Sequence, residues 1–516
     1  MKSMDFLDIM SEVDEALLTR CDRKPRKTLR RLVKPLSAVA ALFAVAVIGV
    51  GVGIMLGNGG AGAAGASGGG ADGLSYMNYI GPVLPLTALE GDEDITAERH
   101  IDYDFSPYAD SYYGQVQLSD SYTLLNTANE DRTLTLAYPV AEQLSSYADR
   151  LPAITVDGKT IEMAYYPGAY TGGYMGVWGK RDPEGTANMD PLSSFEEYRA
   201  LLSDSTYMDM ALGGYPVLDQ PVTVYEITDP VILTSEDKWG TNPTLAFSFT
   251  SDSERTVVMT YGMNGMSRDP QKNFSRHSFG VNEPTDRHYG EPEFAYVILM
   301  GEDIASYTLQ GYEDGGCDRG EEIDITATVN RYEMTLGEFL MARIAMSRAD
   351  RDSIGEHASI GDAVISDEVF LGLAAELLLR DGILSENGVE RYRFGRLDDI
   401  LSAVRHNDRI LYAVFEITVP AGGSVTVDCK MIRDAHEDFI GDKMGLDGYD
   451  MATRLGSRLH FTAQIASVTN TEQIEIVEQN FGFDLAAGVT EVTLDLGVEH
   501  YWMEVRRIDT QNTPKT

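Results

Sequence analysis

Apolar and polar positions follow three different rhythms along this chain. Near the N-terminus, Phe6, Met10, Val13 and Leu17 recur at i, i+4, i+7 and i+11, which puts them on one stripe of a helix running from Asp5 to about Lys24. Asp5, Asp8, Glu12 and Glu15 face the other way, and Pro25 lies just beyond. Next, Leu36 to Leu56 is a continuous apolar run of 21 residues with no ionisable side chain. As a helix it would span about 31 Å at about 1.5 Å per residue, matching a hydrocarbon core of about 30 Å. From Leu74 onward the rhythm turns to the alternation of half-buried strands.

Three segments repeat one design. An alternating strand meets a short polar turn, and a Thr- and Val-rich strand follows. They are Ser121–Asn126 into Arg132–Tyr138, Leu245–Thr250 into Thr256–Tyr261, and Ala413–Val419 into Ser424–Cys429. Each predicts a β-hairpin, and together they predict β-sandwich modules. Further strands are expected at Leu459–Ile465, Gln473–Val477, Glu491–Leu496 and Tyr501–Val505. Helices are expected at Ser194–Leu202, after the capping pair Thr335 and Glu338, at Ser366–Arg380 and at Arg396–His406. The helical stretch should pack on a sheet as an α+β layer.

The fold class expected is therefore a single transmembrane helix plus a mainly-β, β-sandwich-like ectodomain with a helical α+β insert. The boundaries are 1–35 for a cytoplasmic tail with a short amphipathic helix, 36–56 for the transmembrane helix and 57–73 for a Gly/Ala linker. Beyond them come 74–268 for a β-rich extracytoplasmic domain, 269–333 for a connecting β and loop region, 334–406 for the helical insert and 407–516 for a C-terminal β-rich domain. As a coil, the linker would have an r.m.s. span of roughly 20–25 Å. Its glycines fit G-x-S-x-G at 65–69 and G-x-G-x-x-G at 57–62. Neither match lies between a strand and a helix, where those motifs act.

Charge orients the crossing. Arg20, Arg23, Lys24, Arg26, Lys27, Arg30, Arg31 and Lys34 precede the apolar run, and no basic residue follows it until Arg99. This asymmetry predicts a cytoplasmic N-terminus and an extracellular C-terminal domain in the cell membrane. A cleaved secretory signal is the rival reading, given the small residues around Ala61–Ala66. The long charged lead and the length of the apolar run favour a retained anchor. Residues 1–35 hold 9 Lys and Arg against 6 Asp and Glu, leaving 32 basic and 75 acidic groups beyond residue 56, so +3 inside and −43 outside. Nucleic acid would be repelled by so acidic a domain. Gly49, Gly53 and Gly57 share one helix face, the spacing that lets two membrane helices pack closely. The tail has no core of its own to bury its stripe. A polar face of acids suits a protein partner better than a membrane surface.

Candidate chemistry is sparse. The eight histidines show no metal-ligand spacing, and no zinc motif occurs. Acidic clusters at Glu90–Asp94, Asp318–Asp324 and Asp447–Asp450 can offer oxygens to Ca²⁺, though none follows the EF-hand order. No catalytic residue is assigned and the chain is read as a non-enzyme. Cys317 and Cys429 share the extracellular side, and the sequence leaves open one disulfide or two thiols; Cys21 is across the membrane. Tyr165, Tyr166, Tyr170, Tyr174 and Trp178 punctuate a glycine-rich stretch that suits a ligand-contact loop for an unknown extracellular ligand.

The N-terminal order of acidic helix (Met10 to Leu18), basic run and apolar run resembles single-pass membrane proteins of Clostridia-type Gram-positive bacteria, some of them anti-sigma factors. The stretches SYTLLNTANEDRTLTLAYP, YPVLDQPVTVYEITD, FEITVPAGGSVTV and QIEIVEQNFGFDL resemble uncharacterised extracytoplasmic proteins of the same group. The zinc-type anti-sigma pattern of one His and two Cys is absent from the tail. The resemblance implies a membrane-anchored binding or sensing protein that signals inward through a cytoplasmic partner. A surface structural or adhesive protein and an extracytoplasmic hydrolase are the alternative readings.

Overall fold

The computed structural model describes residues 75–174, 189–233, 242–281, 294–317, 321–349, 358–380, 383–384 and 395–508. The tail stripe of Phe6, Met10, Val13 and Leu17, the run Leu36–Leu56, the glycines Gly49, Gly53 and Gly57, and the linker all lie outside them. Among the described residues no helix is long and apolar enough to cross a membrane.

Strands dominate, as the alternation requires, and they build two sandwiches. The first sandwich has a seven-stranded large sheet, ordered Glu491–Thr493, His460–Thr469, Ile95–Asp104, Val116–Asn126, Ser424–Arg433, Ala153–Val156, Lys159–Thr160. Its pairs are antiparallel except His460–Thr469 beside Ile95–Asp104, which is parallel. Two four-stranded sheets face it. The companion sheet runs Thr87–Ala88, Arg132–Glu142, Arg409–Val419, Ala164–Tyr170, and the C-terminal sheet runs His436–Glu437, Asp447–Ala452, His500–Arg507, Ile474–Gln479. Ile101, Leu118, Leu124, Leu136, Phe415, Val427, Met451 and Val505 fill the space between the layers.

Strand Arg409–Val419 reads RILYAVFEITV, nearly continuous in apolar residues, because both of its faces are covered. Ala413, Phe415 and Ile417 point into the sandwich. Ile410, Tyr412 and Val414 point outward against helices Phe195–Leu202 and Thr206–Leu212. The second of these helices has a single apolar turn in sequence and escaped the periodicity reading.

The second sandwich pairs an inner sheet (Thr256–Tyr261, Phe294–Gly301, Pro221–Ile232, Ile325–Thr335) with an outer sheet (Gly265–Asp269, Phe274–Gly280, Thr244–Thr250, Tyr307–Tyr312, Glu322–Ile323). Tyr225, Ile227, Phe247, Phe249, Val297 and Leu299 form its core. The inner sheet's other face, with Val222, Val224, Met259 and Ile298, carries helices Leu336–Ala349, Asp367–Arg380 and Leu397–His406. The helices do form an α+β layer, and through Leu144 and Leu411 they also touch the first sandwich. Thr335 and Glu338 cap the first helix reciprocally. The Thr335 N–H donates to the Glu338 carboxylate at 2.8 Å, and the Glu338 N–H donates to Thr335 Oγ1 at 3.1 Å.

Pairing runs across the sequence boundaries. Arg409–Val419 pairs along its whole length with Arg132–Glu142, so residues on both sides of the 334–406 helices share one sandwich. The boundary at 268/269 falls inside the outer sheet of the second sandwich, within strand Gly265–Asp269, which pairs with Phe274–Gly280.

All three expected hairpins are instead arches. In each, the two strands enter opposite sheets of a sandwich: Val116–Asn126 and Arg132–Glu142, Thr244–Thr250 and Thr256–Tyr261, Arg409–Val419 and Ser424–Arg433. An arch and a hairpin share the pattern of alternation, polar turn and alternation, because the turn residues face water in both. They differ in whether the second strand finds its partner beside the first or across the core.

Cys317 and Cys429 are not bonded; both are buried thiols. Cys429 points into the core of the first sandwich, while Cys317 packs with Ala246 and Tyr312 on the second. Burial pushes the Cys429 thiol well up from its ordinary range.

A buried ion pair stitches the first sandwich together. Arg99 Nε and Nη2 donate to the two carboxylate oxygens of Asp120 at 2.7 and 2.8 Å. The hydroxyls of Tyr122 and Tyr138 donate to the same carboxylate at 2.6 and 3.0 Å, and Arg99 Nη1 donates to the Ala452 carbonyl at 2.8 Å. Five donors thereby compensate the desolvation of one charge pair.

Candidate functional site: a buried His–Asp–His clasp on the incoming chain

Alternation in two paired strands creates the site. In Asp447–Ala452, Tyr449 and Met451 point into the sandwich core, so Gly448, Asp450 and Ala452 share the opposite face. In His500–Arg507, Tyr501, Met503 and Val505 point inward, leaving His500, Trp502 and Glu504 on that same opposite face. Asp450 lies directly across from Trp502, which sets His500 and Glu504 at its two diagonals. His436 arrives opposite Gly448 from the neighbouring edge strand.

Residues 75–83 are laid onto this face. The N–H of Asn78 donates to the Glu437 carbonyl and the Asn78 carbonyl accepts the N–H of Glu437, both at 3.0 Å. The N–H of Val83 donates to the Asp450 carbonyl at 3.1 Å, and Ala452 N–H donates to the Val83 carbonyl at 3.0 Å. Side chains complete the grip. Tyr79 hydroxyl donates to Asp450, Tyr76 hydroxyl donates to Glu504 Oε1 at 2.8 Å, and an Arg433 guanidinium N–H donates to the Gly81 carbonyl. Gly448 is required by this approach, since a Cβ there would stand 2.5 Å from the Tyr76 hydroxyl.

The centre is Asp450, 4% exposed. His436 Nε2 and His500 Nε2 lie 2.8 Å from its two oxygens, and Tyr79 provides a third donor. The Ile80 N–H donates to His436 Nδ1 at 3.0 Å, so the Nε2 of that ring carries the hydrogen and gives it to Asp450. This network assigns His436 as neutral. Burial by itself would raise the Asp450 carboxyl, but His436 and His500 hold it well below the usual carboxylate range. Burial pushes the His436 imidazole down, against the pull of Asp450. Burial, then Asp450, pushes the Tyr79 hydroxyl well up. Aromatic rings clamp both imidazoles: Tyr79 stacks on His436 at 4.3 Å and Phe195 on His500 at 3.9 Å. At the rim, Lys443 pairs with Glu504 and sits 4.8 Å above the Tyr76 ring.

Chemically, this arrangement holds a peptide segment and stores one negative charge. Each imidazole gives its Nε2–H to Asp450. Among the described residues no group of three or more His, Cys, Asp and Glu is arranged to hold a metal ion. The acidic clusters named from sequence have internal partners: Asp92 and Asp94 pair with Arg132, Asp447 accepts from Tyr108, and Asp450 from the histidines. Asp318 lies outside the described residues.

The tyrosine-rich stretch does not form an open loop where it is described. Tyr165, Tyr166 and Tyr170 belong to strand Ala164–Tyr170, hydrogen-bonded to Arg409–Val419. Tyr165 and Tyr166 are half-buried against the cores on either side, and Tyr170 is buried with the Arg380 guanidinium 4.1 Å from its ring centroid. The unpaired-loop expectation failed because glycine suits a strand edge lying close beneath helices as well as it suits a loop; a Cβ at Gly168 would collide with the Tyr207 ring. The Tyr174 side chain and Trp178 lie outside what is described.

Of Tyr76, Tyr79, His436, Asp450, His500 and Glu504, the sequence marks only Asp450 as candidate chemistry, and there as part of an acidic cluster able to offer oxygens to Ca²⁺. The alternation in DGYDMA and HYWMEV does mark Asp450, His500 and Glu504 as sharing the face away from the core. Nothing local marks that Tyr76 and Tyr79 would meet them. No protein-family model and no curated protein matches this chain.

Proposed function

We propose that this chain is a membrane-anchored extracytoplasmic binding or sensing protein that passes the state of its outer domain to a cytoplasmic partner, in an anti-sigma-like manner. The observation that carries the reading is the clasp at residues 76–83. It grips the outer domain's first described segment through Tyr76, Tyr79, Ile80 and Val83 onto a sheet made from the far end of the chain. That segment follows the linker and the run Leu36–Leu56 directly in sequence. A change in the sandwich at residues 436–504 therefore acts on the chain leading to the membrane, and a loosened segment acts back on the sandwich by the same free energy.

The test uses the full chain in a Gram-positive host, with a photo-crosslinker in place of Asp14 beside the apolar stripe. A specific cytoplasmic protein is captured, and Met10→Asp or Leu17→Asp abolishes capture while protease added outside still reaches the domain. If nothing specific is captured, the signalling part of the reading falls and a purely structural surface protein takes its place.

A further inference from the structure

Six large apolar side chains stand in water around the clasp: Met77, Tyr112, Tyr113, Phe439, Ile440 and Met444, from 48% exposed at Tyr113 to 83% at Tyr112 and Ile440. They come from three separate segments, tied by hydrogen bonds between 77–78 and 437–438 and between 113 and 435. Met77 N–H donates to Asp438 Oδ1 at 2.6 Å. Ala435 N–H donates to the Tyr113 carbonyl at 3.0 Å, and Met444 N–H to the Gly441 carbonyl at 3.2 Å. The six thus border one edge strand, His436–Glu437, at the end of the C-terminal sheet. Polar partners hold the loops in place and leave the apolar tips outward: Arg507 donates to the Ser111 carbonyl at 2.8 Å and Lys443 to Glu504.

We propose that this apolar edge rests in the interfacial layer of the outer face of the bilayer in which the chain is anchored. The inference rests on the membrane-anchored reading. Chain length argues for this occupant. Fully extended, residues 57–74 reach no further than about 65 Å, and as a coil about 20–25 Å, so the edge at Met77 is the part of the domain held nearest the lipid. Composition argues for it too. Tyrosines and aliphatic tips match the headgroup boundary, where tyrosine is enriched, and Lys443 beside them is neutralised by Glu504. The domain's acidic excess sets the polarity of the contact. Anionic headgroups repel it at long range, so the contact comes from inserted apolar tips rather than charge attraction.

The experiment reconstitutes the full chain, carrying Cys21→Ser, into phosphatidylcholine vesicles. A single environment-sensitive fluorophore is attached at Ile440→Cys or, as control, at Leu233→Cys on the second sandwich. Flotation reports anchoring, and quenching by lipids brominated at graded depths reports contact. The proposal expects a blue shift and loss of emission at Ile440, strongest with shallow bromines and unchanged as lipid dilutes the protein, with no loss at Leu233. The triple variant Phe439→Asp, Ile440→Asp, Met444→Asp alters exposed positions only. With the fluorophore moved to Tyr112→Cys, it should still float but lose the quenching. Flotation without quenching overturns the docking and leaves the anchor standing. A blue shift without quenching that fades on dilution assigns the edge to a second copy and also overturns it. Failure to float removes the anchor and the docking together.

Discussion

The Nε2 of His436 lies 2.8 Å from Asp450 Oδ1, and the other nitrogen of the same ring accepts the N–H of Ile80 at 3.0 Å. One imidazole thereby links a buried carboxylate to the backbone of the incoming segment. Asp450→Asn should destabilise the domain by roughly 3–5 kcal/mol, because an amide cannot accept from His436, His500 and Tyr79 together and its NH₂ meets a buried donor. Tyr79→Phe should cost less, about 1.5–3 kcal/mol, the range for one hydrogen bond to a charged group. Urea unfolding with an unchanged m-value checks both, and equal losses would show that the carboxylate does not organise the clasp.

Acid should weaken the fold in two stages. Burial, followed by Arg268, pushes the His277 imidazole down to about 4, and burial pushes His436 down as well. Below an unfolded value of about 6.5, the unfolded chain binds protons that these native imidazoles refuse, so stability falls as pH falls. For His277 the loss between pH 7 and pH 4 is on the order of 3 kcal/mol. Asp450 adds a second stage below about pH 4, where the unfolded carboxylate takes a proton the native one does not. His277→Phe, which keeps a ring against Phe249, should shrink the first stage to the part His436 supplies in a pH series of urea midpoints and leave the second unchanged.

The Arg99–Asp120 pair offers a third measurement. Both side chains are fully buried, so Asp120→Leu alone strands a guanidinium and should cost about 3–5 kcal/mol. Arg99→Met with Asp120→Leu should recover much of that loss. A double variant as unstable as the single one would show that the tyrosines, rather than the ion pair, hold the sheets.

Asn126 ties two arches together. Its Nδ2 donates to the Glu130 and Val419 carbonyls at 2.9 and 3.0 Å, and its Oδ1 accepts the Ala128 N–H at 2.9 Å. Asn126→Asp should destabilise more than Asn126→Ala, by about 1–3 kcal/mol, since a carboxylate would face both carbonyls. Thermal unfolding of the two variants side by side decides the order.

The places where sequence reading succeeded share a scale. The reciprocal cap of Thr335 and Glu338 and the strands at 474–479 and 500–507 follow from spacing within a few residues. The strands flanking each polar turn were placed correctly, but their pairing was not. Residues 121–138 alternate the same way whether the second strand lies beside the first or across the core. The partner of Arg132–Glu142 is a strand more than 250 positions away.

The sequence by itself determined the strands that flank the polar turns, the capped helix after Thr335, the acidic character of the domain, and an apolar run fit to cross a membrane. Side-chain periodicity and solvent contact are properties of neighbours in the chain, so they are written locally. Tertiary structure alone decided that three turns are arches, that Cys317 and Cys429 sit in different cores, and that Tyr79 meets Asp450 from 371 positions away. Those outcomes depend on which buried faces fit one another when the two sandwiches close, a long-range choice that no local pattern of apolar and polar residues encodes.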